Sequence, residues 1–398
     1  MTKIILKKGR EESVKRFHPW VFSGAIAQIA GNPAEGDVVG VYASDGSFLA
    51  AGHYQIGSIA VRILSFDSPV LAPDFWEIML SRALAVRIAC GLAVPGGKTN
   101  CYRLVHGEGD NLPGLVIDYY DGVCVLQAHS VGMFRSKTRI AEALVKVYGD
   151  NIRAVYDKSS STVPFKAGLN AVDGYLWKRP DFQKDELVLL ENGNRFLINW
   201  TTGQKTGFFL DQRENRALVG RYASGRRVLN LFCYTGGFSV YALAGGAESV
   251  VSVDSSERAM AMVSENIALN GFDESRHTSF CGDAMDFLKQ SEENKYDLMI
   301  VDPPAFAKHR GALNNALRAY RRLNASAIEK VAAGGLVFTF SCSQVVDKET
   351  FALTVFSAAA QVGRSVRILD RLNQPADHAV NIYHPEGEYL KGLLLYVE

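Results

Sequence analysis

The chain contains 398 residues, of which 47% are hydrophobic and 21% are charged, and its formal net charge is +1. This composition is typical of a folded globular protein with room for two or three domains, and it excludes a largely disordered chain. The balance of acidic and basic residues gives no overall basic signature, so any surface for nucleic acid must be local.

The six cysteines form no C-x-x-C pair and show no regular spacing. A disulfide framework is not expected in a chain of this length, and the spacing does not support a zinc site, so we expect no metal. The N-terminal apolar run is too short for a signal peptide, and no segment reaches the roughly 18 apolar residues of a membrane helix. These features predict a cytoplasmic protein that makes no membrane contact.

Residues 1–70 alternate short apolar runs with Gly and Asp, which predicts a small β-rich module with strands at 38–42 and 59–64. Basic side chains surround Phe17 and Trp20 near the start of this block. Basic and aromatic residues together suit phosphate contact and base stacking. A solvated strand followed by a core tryptophan would give the same pattern, and the sequence leaves both interpretations open.

Residues 71–190 mix helical and strand patterns, which predicts a central α+β domain. The turn residues Asp121-Gly122 predict a hairpin between two of its strands. The block contains no pattern that points to chemistry. Its predicted elements are a helix at 73–93, strands at 115–119 and 122–127, and a helix at 136–148.

Residues 191–398 contain near-continuous apolar runs separated by helical patterns, which is typical of buried parallel strands in a βαβ array. One helix, predicted at 256–269, ends at the C-terminal signal Asn270-Gly271. The pattern predicts a doubly wound α/β sheet. Its predicted strands lie at 228–232, 250–254, 296–301, 336–340 and 390–397.

Candidate ligand-binding groups follow several of these strands, where open α/β sheets bind ligands. Gly236-Gly237 lies in a turn after the first strand, and Asp254, Asp283 and Asp302 end later ones. We expect Asp254 to bond ribose hydroxyls or to cap the following helix, and Asp283 to bond an adenine amino group. The turn lacks the G-x-G-x-x-G of dinucleotide sites. Acidic residues favour a cationic, phosphate-free adenosine ligand, namely S-adenosylmethionine.

Cys342 ends the predicted strand 336–340 and offers a nucleophile beside Asp302. Carbon 5 of a pyrimidine is a poor nucleophile, and adding a thiolate to carbon 6 activates it for methylation. Methylation of a nitrogen needs no such group. A free cysteine often only packs in the core, and that interpretation also remains open for Cys342. The other five cysteines are interpreted as packing residues.

Several motifs resemble the large-subunit ribosomal RNA cytosine-5 methyltransferases of the RlmI type. The resemblance covers essentially the whole chain, including an opening that is similar to the family's N-terminal PUA domain. The matching segments are Lys8-Gly9-Arg10, 18–24, 203–213, 230–238, Val301-Asp302-Pro303-Pro304, Phe340-Ser341-Cys342-Ser343, 385–387 and 389–392.

The resemblance implies a PUA domain at 1–70, a central domain at 71–190 and a class I methyltransferase domain at 191–398. It implies that Cys342 is the nucleophile and Asp302 the acidic catalytic residue, acting on a flipped-out cytosine of 23S ribosomal RNA. It also hints at a homodimer. Ala305 departs from the pattern, since many members have Lys there. The implied donor contacts are Phe209, Asp211, Arg213, Asn230, Phe232, Tyr234, Gly236, Asp254, Ser255, Asp283, Ala284 and Asp302.

Three alternatives stay open on the sequence. A methyltransferase acting on a guanine nitrogen would need the Asp-Pro-Pro segment and no nucleophile, leaving Cys342 as a packing residue. A non-catalytic RNA-binding assembly factor could keep the same fold. A nicotinamide dehydrogenase is the most distant alternative, because the phosphate-binding glycine pattern is missing.

Overall fold

The structure is a computed structural model that describes residues 2–164, 168–307 and 309–398. The chain forms two compact units. The predicted division into three domains stays a prediction. Within the described residues, no helix is both long enough and apolar enough to cross a membrane. The first unit comprises the residues up to Leu189, Ile198–Leu210 and Ala376–Gly387; the second comprises Leu190–Leu197, Asp211–Pro375 and Glu388–Glu398.

The first unit begins with a six-stranded sheet that encloses a small apolar core. Apart from a parallel pair between the first and fourth strands, its neighbours run antiparallel. The β-rich module and both of its predicted strands are confirmed. The elements are β1 (Lys3–Leu6), α1 (Glu12–Lys15), β2 (Trp20–Phe22), β3 (Ile26–Ala30), β4 (Val38–Tyr42), β5 (Phe48–Tyr54) and β6 (Ile59–Ser65), in the sheet order β2-β6-β5-β4-β1-β3.

A five-stranded sheet and two helices follow and share one apolar core, which confirms the α+β prediction. Asp121 and Gly122 both have positive φ, as a two-residue hairpin turn requires. The second helix begins at Val131 rather than at 136, because the Ser130 hydroxyl accepts the N–H of Met133 and caps it earlier. The elements are α2 (Phe75–Ala89), β7 (Cys101–His106), β8 (Leu115–Tyr120), β9 (Val123–Ala128), α3 (Val131–Tyr148), β10 (Ala154–Asp157) and β11 (Gly174–Lys178), followed by the two-stranded sheet of β12 (Glu186–Glu191) and β13 (Asn194–Asn199).

The second unit is built on a seven-stranded sheet with helices in the connections between its strands. Every predicted strand of this block is present, and the helix predicted at 256–269 begins one residue later. The elements are α4 (Arg213–Tyr222), β14 (Arg227–Leu231), α5 (Gly237–Ala244), β15 (Ser249–Asp254), α6 (Glu257–Leu269), β16 (His277–Cys281), α7 (Ala284–Gln290), β17 (Tyr296–Val301), α8 (Leu313–Lys330), β18 (Val331–Ser341), α9 (Lys348–Val362), β19 (Val366–Asn373) and β20 (Lys391–Val397).

The strand order of this sheet is β16-β15-β14-β17-β18-β20-β19, which confirms the doubly wound prediction. Strands β14 to β18 run parallel, and β20 runs antiparallel to both of its neighbours. The chain moves outward from β14 to β15 and β16, and then returns to β17 on the other side of β14. The reversal of strand order therefore occurs at β14, where a ligand crevice is expected beyond the carboxyl ends of the strands.

A buried ion pair joins α4 to the end of β12 inside the second unit. The Arg216 guanidinium donates from Nε and Nη2 to the two carboxylate oxygens of Glu191, at 2.8 and 2.7 Å. Both side chains are almost fully buried, and the Tyr241 hydroxyl donates to the same carboxylate at 3.1 Å. The Arg216 side chain also lies against Gly237, where an added Cβ would be 2.9 Å from Arg216 Cδ. The pair thus supports the first turn of α5.

We predict that Arg216→Met lowers the free energy of unfolding by about 3–5 kcal/mol, because it leaves the Glu191 carboxylate buried without its cation. Urea denaturation followed by circular dichroism measures the change. Arg221→Met, at an exposed position on the same helix, is the matched control and should change stability little. Equal midpoints for Arg216→Met and the control would contradict the structural role of the pair.

Candidate active site

The turn after β14 has an unusual backbone. Phe232, Tyr234 and Gly236 have φ values of 59°, 48° and 79°, so two non-glycine residues lie in the left-handed region. Each such residue costs of order 1 kcal/mol or more and persists only where the surroundings hold it. The N–H of Tyr234 donates to Oδ2 of Asp254 at 2.9 Å. The predicted glycine turn is therefore held by the acidic residue that ends the next strand.

Asp254 uses both carboxylate oxygens on the backbone. Its Oδ1 accepts the N–H of Ser256 at 3.0 Å, while Oδ2 accepts Tyr234. The alternative role of Asp254 as the helix cap is wrong, since Ser256 caps α6 by accepting the N–H of Ala259 at 3.3 Å. Ser255, between them, is exposed at the carboxyl end of β15. The ribose contact of Asp254 stays a prediction.

Asp283 caps α7, because its Oδ1 accepts the N–H of Asp286 at 2.9 Å. Ala284 is the first residue of that helix and is buried. Asp254 pairs with Cys281 across β15 and β16, which brings the ends of these two strands side by side. Asp283 is exposed, and its contact with adenine stays a prediction.

Asn230 lies inside β14 and is fully buried. Its Nδ2 donates to the Ser239 hydroxyl at 2.9 Å, whereas its Oδ1 has no hydrogen-bond partner among the described residues. A buried acceptor without a partner costs about 1–3 kcal/mol and calls for an explanation. The donor contact of Asn230 stays a prediction.

Asp302 follows β17 and is held by a side chain that the sequence analysis did not single out. Gln212 donates from Nε2 to Oδ2 of Asp302 at 3.0 Å, and Asn215 Nδ2 donates to Gln212 Oε1 at 2.6 Å. Gln212 lies within the matching segment 203–213, which was the only sequence signal for it. The Asp302 carboxylate is therefore oriented from α4, the helix on which Asn215 lies.

The predicted donor contacts that precede β14 belong to different compact units: Asp211 and Arg213 to the second, and Phe209 to the first. Asp211 is buried and accepts the Tyr389 hydroxyl at 2.6 Å, and Arg213 is buried with Nε 3.2 Å from Glu214 Oε1. Phe209 belongs to the first compact unit, where the Lys205 ammonium lies 4.8 Å from its ring centroid. The donor contact of Phe209 stays a prediction.

Cys342 follows β18 directly and is only partly buried. Strands β17 and β18 pair in parallel, with Val301 opposite Thr339, so Cys342 and the Asp-Pro-Pro segment leave adjacent strands. The Sγ atom lies 4.0 Å from the carbonyl oxygen of Pro303. The expected position of the thiol beside the Asp302 strand is confirmed.

Two further residues hold the backbone around Cys342. The Tyr320 hydroxyl lies 3.0 Å from the hydroxyls of both Ser341 and Ser343. Lys391 donates to the carbonyl oxygens of Ser343 and Val346 at 2.7 and 2.6 Å. Burial lowers the pKa of Lys391 to about 8, although the negative charges of Cys342 and nearby carboxylates oppose that shift. Lys391 thus interacts electrostatically with Cys342.

None of the remaining cysteines forms a disulfide bond within the part of the chain that the structure describes. Cys233 is buried, and burial raises the pKa of its thiol, which disfavours a role as nucleophile. Cys101 and Cys124 are also buried, as predicted. The prediction of packing is wrong for Cys90 and Cys281, which are exposed because one follows the end of α2 and the other ends the edge strand β16.

These groups fit a cationic adenosine ligand better than a dinucleotide. The strand ends present carboxylates at Asp254, Asp283 and Asp302. Asn230 supplies a buried acceptor at the strand where the order of the sheet reverses. The site can therefore hold a ligand among hydrogen-bond acceptors, beside a partly exposed thiol.

Comparison with known proteins identifies what the chain is similar to. A family model described as S-adenosylmethionine-dependent methyltransferase matches residues 177–394, and one described as PUA-like domain matches residues 4–66. The chain is 40% identical over 395 residues to the ribosomal RNA large subunit methyltransferase I of Alteromonas mediterranea, covering 98% of both chains. It is 40% identical over 397 residues to the same-named protein of Aeromonas hydrophila, again covering 98% of both.

The fold is also similar to a solved structure of a protein from Streptococcus mutans described as a SAM-dependent methyltransferase. The TM-score is 0.84 at 24% identity, with the whole of both chains aligned. This likeness extends the agreement in fold over the full length of the chain.

We predict that Lys391→Met slows alkylation of Cys342 by iodoacetamide at neutral pH by about tenfold, because it removes the ammonium that favours the thiolate. Peptide mass spectrometry separates Cys342 from the exposed Cys90 and Cys281. Lys348→Met, which removes an exposed lysine paired with Glu388, is the control and should leave the rate unchanged. Equal rates in wild type and Lys391→Met would show that Lys391 has no electrostatic effect on the thiol.

Proposed function

Because the chain belongs to the S-adenosylmethionine-dependent methyltransferases, within the ribosomal RNA large subunit methyltransferase I family, we propose that it methylates a cytosine of large-subunit ribosomal RNA. In this proposal the methyl group is added to carbon 5 of the base, and Cys342 is the nucleophile. The observation that carries the choice of atom is the partly exposed thiol beside the Asp-Pro-Pro segment. The homodimer at which the resemblance hints and the cytoplasmic location that the sequence features predict both stay predictions.

Cys342 acts as the nucleophile in this proposal. Its thiolate adds to carbon 6 of the cytosine, and the ring electrons move to carbon 5, which becomes able to take a methyl group. Loss of the carbon 5 proton to a base and elimination of the thiolate then restore the aromatic ring. The Lys391 ammonium, anchored on the carbonyl oxygens of Ser343 and Val346, stabilises the thiolate before it adds and after it leaves.

Asp302 orients the base. A carboxylate at this position accepts a hydrogen bond from the exocyclic amino group of cytosine, which uracil lacks. The Gln212 amide donates to Oδ2 at 3.0 Å and so holds the carboxylate in a fixed orientation. Asp302 thus contributes both to selection of cytosine and to stabilisation of the charge that develops as the thiolate adds.

Bound S-adenosylmethionine supplies the electrophilic methyl group. Its adenosine part would be held by the strand ends at Asp254 and Asp283, and by the buried amide oxygen of Asn230. These side chains bind and orient the donor and carry no proton in the reaction.

A local basic surface supports RNA as the partner. Arg318, Arg321 and Arg322 are exposed on α8 and line one groove of about 320 Å³ together with Asn315. None of the three forms an ion pair within the part of the chain that the structure describes. Tyr320 on the same helix contacts the hydroxyls that flank Cys342. One helix therefore carries an exposed arginine face suited to phosphate and a buried tyrosine that holds the segment around Cys342.

The test of the proposed chemistry is methyl transfer from labelled S-adenosylmethionine to protein-free large-subunit ribosomal RNA. We expect wild type to yield 5-methylcytidine and Cys342→Ala to lose at least about 1,000-fold in rate, since the thiolate addition is lost. Mass spectrometry of the nucleosides identifies the product.

Cys90→Ala, which removes an exposed cysteine in the first compact unit, is the matched control and should keep full activity. Label in a methylated guanine, or full activity in Cys342→Ala, would mean that the protein is an N-methyltransferase and that Cys342 only packs. Absence of donor binding by calorimetry would favour the non-catalytic assembly factor.

A separate prediction concerns the arginine groove. Arg318→Ala and Arg322→Ala should each weaken RNA binding and reduce the slope of log K against log salt by about one, because each removes a phosphate contact. Fluorescence anisotropy with a ribosomal RNA fragment at several salt concentrations measures both quantities. Arg258→Ala, at an exposed position of α6, is the control. An unchanged salt slope in both groove variants would exclude this face as an RNA contact.

A further inference from the structure

A cluster of possible metal ligands lies in the first compact unit, apart from the residues discussed above. His18 precedes β2, while His384 and Glu386 lie in the segment Ala376–Gly387 that belongs to the same unit. One ligand atom from each residue lies within 4.8 Å of the other two. Nε2 of His384 is 3.9 Å from Oε2 of Glu386. Residues far apart in the chain thus bring two imidazoles and a carboxylate together.

His384 is the central member of this cluster. Its side chain is only 2% exposed, and neither ring nitrogen has a hydrogen-bond partner among the described residues. The Trp20 ring packs edge-on against it, with centroids 4.3 Å apart. Buried polar groups are almost always satisfied, so an imidazole with two unsatisfied nitrogens indicates a partner that protein atoms do not supply.

Backbone contacts engage one side of the His18 ring. Its Nδ1 accepts the N–H of Trp20 at 3.2 Å and lies 3.3 Å from the carbonyl oxygen of the same residue. The Trp20 indole in turn donates to Glu108 at 2.9 Å. Because Nδ1 is engaged by the backbone, a metal ion would bind His18 through Nε2.

We propose that His18, His384 and Glu386 bind one divalent transition-metal ion, for which Zn²⁺ is the best match. Two imidazoles with one carboxylate form a donor set that zinc accepts, and a water molecule can complete a tetrahedron. Separations of at most 4.8 Å between ligand atoms need only small side-chain movements to close around an ion. The ion fixes the segment Ala376–Gly387 to the N-terminal sheet, so its role is structural.

This site was outside the reach of the sequence analysis, which expected no metal because the cysteines lack a zinc spacing. The three ligands come from opposite ends of the chain and form no local motif. His384-Pro385-Glu386 alone gives no recognisable metal pattern. Only the fold brings His18 to it.

The experiment titrates ZnCl₂ by calorimetry into full-length, tag-free protein that has been treated with chelator. Wild type is compared with His384→Ala and with Glu386→Gln, whose exposed carboxylate can be neutralised without disturbing the core. His309→Ala and Glu329→Gln, both at exposed positions, are the matched controls. Circular dichroism checks that each variant is folded, and Co²⁺ absorption provides a second measure of ligand geometry.

We expect one equivalent of Zn²⁺ to bind wild type and both controls, with affinity reduced about 100-fold or more in the two ligand variants. Zinc should also raise the melting temperature of wild type and not that of Glu386→Gln. Absence of saturable binding by wild type overturns the proposal. Equal affinity in wild type and both ligand variants overturns it as well, because the ion would then lie elsewhere.

Discussion

The parallel pairing of β14, β15, β17 and β18 is the constraint on which the candidate active site depends. Parallel strands end at the same edge of a sheet, so residues that follow different strands become neighbours. The Tyr234 turn, Asp254, Asp302 and Cys342 all follow such strands. The register places Val301 opposite both Leu231 and Thr339, so the turn and the thiol flank the Asp-Pro-Pro segment.

Hydrogen bonds from a few side chains to backbone then fix the loops at this edge. Asp254 binds the N–H groups of Tyr234 and Ser256, and thereby maintains a backbone that would otherwise be unfavourable. Lys391 binds two carbonyl oxygens beyond Cys342 in the same manner. Each of these polar residues binds two backbone groups, which orders a loop without adding apolar core.

The charge of the protein is organised locally, although its sum is close to zero. Acidic residues end the strands of the second unit, and three arginines share one exposed groove on α8. The buried pair of Arg216 with Glu191 is structural, and its charges do not reach solvent. A net charge of +1 therefore says little about the partners of this protein, since opposite local fields cancel in the total.

The sequence by itself determined the doubly wound fold, the β-rich start of the chain and the positions of Asp302 and Cys342 on adjacent strands. These predictions rest on the local periodicity of apolar residues and on which residues directly follow a strand. Both can be seen in short stretches of sequence. The tertiary structure decided that Gln212 orients Asp302, that Tyr320 and Lys391 hold the Cys342 segment, and that His18 meets His384. Such contacts join residues distant in the chain, and their chemistry leaves no periodic signal. The exposure of Cys90 and Cys281 likewise depends on where their elements end in the fold, which composition does not encode.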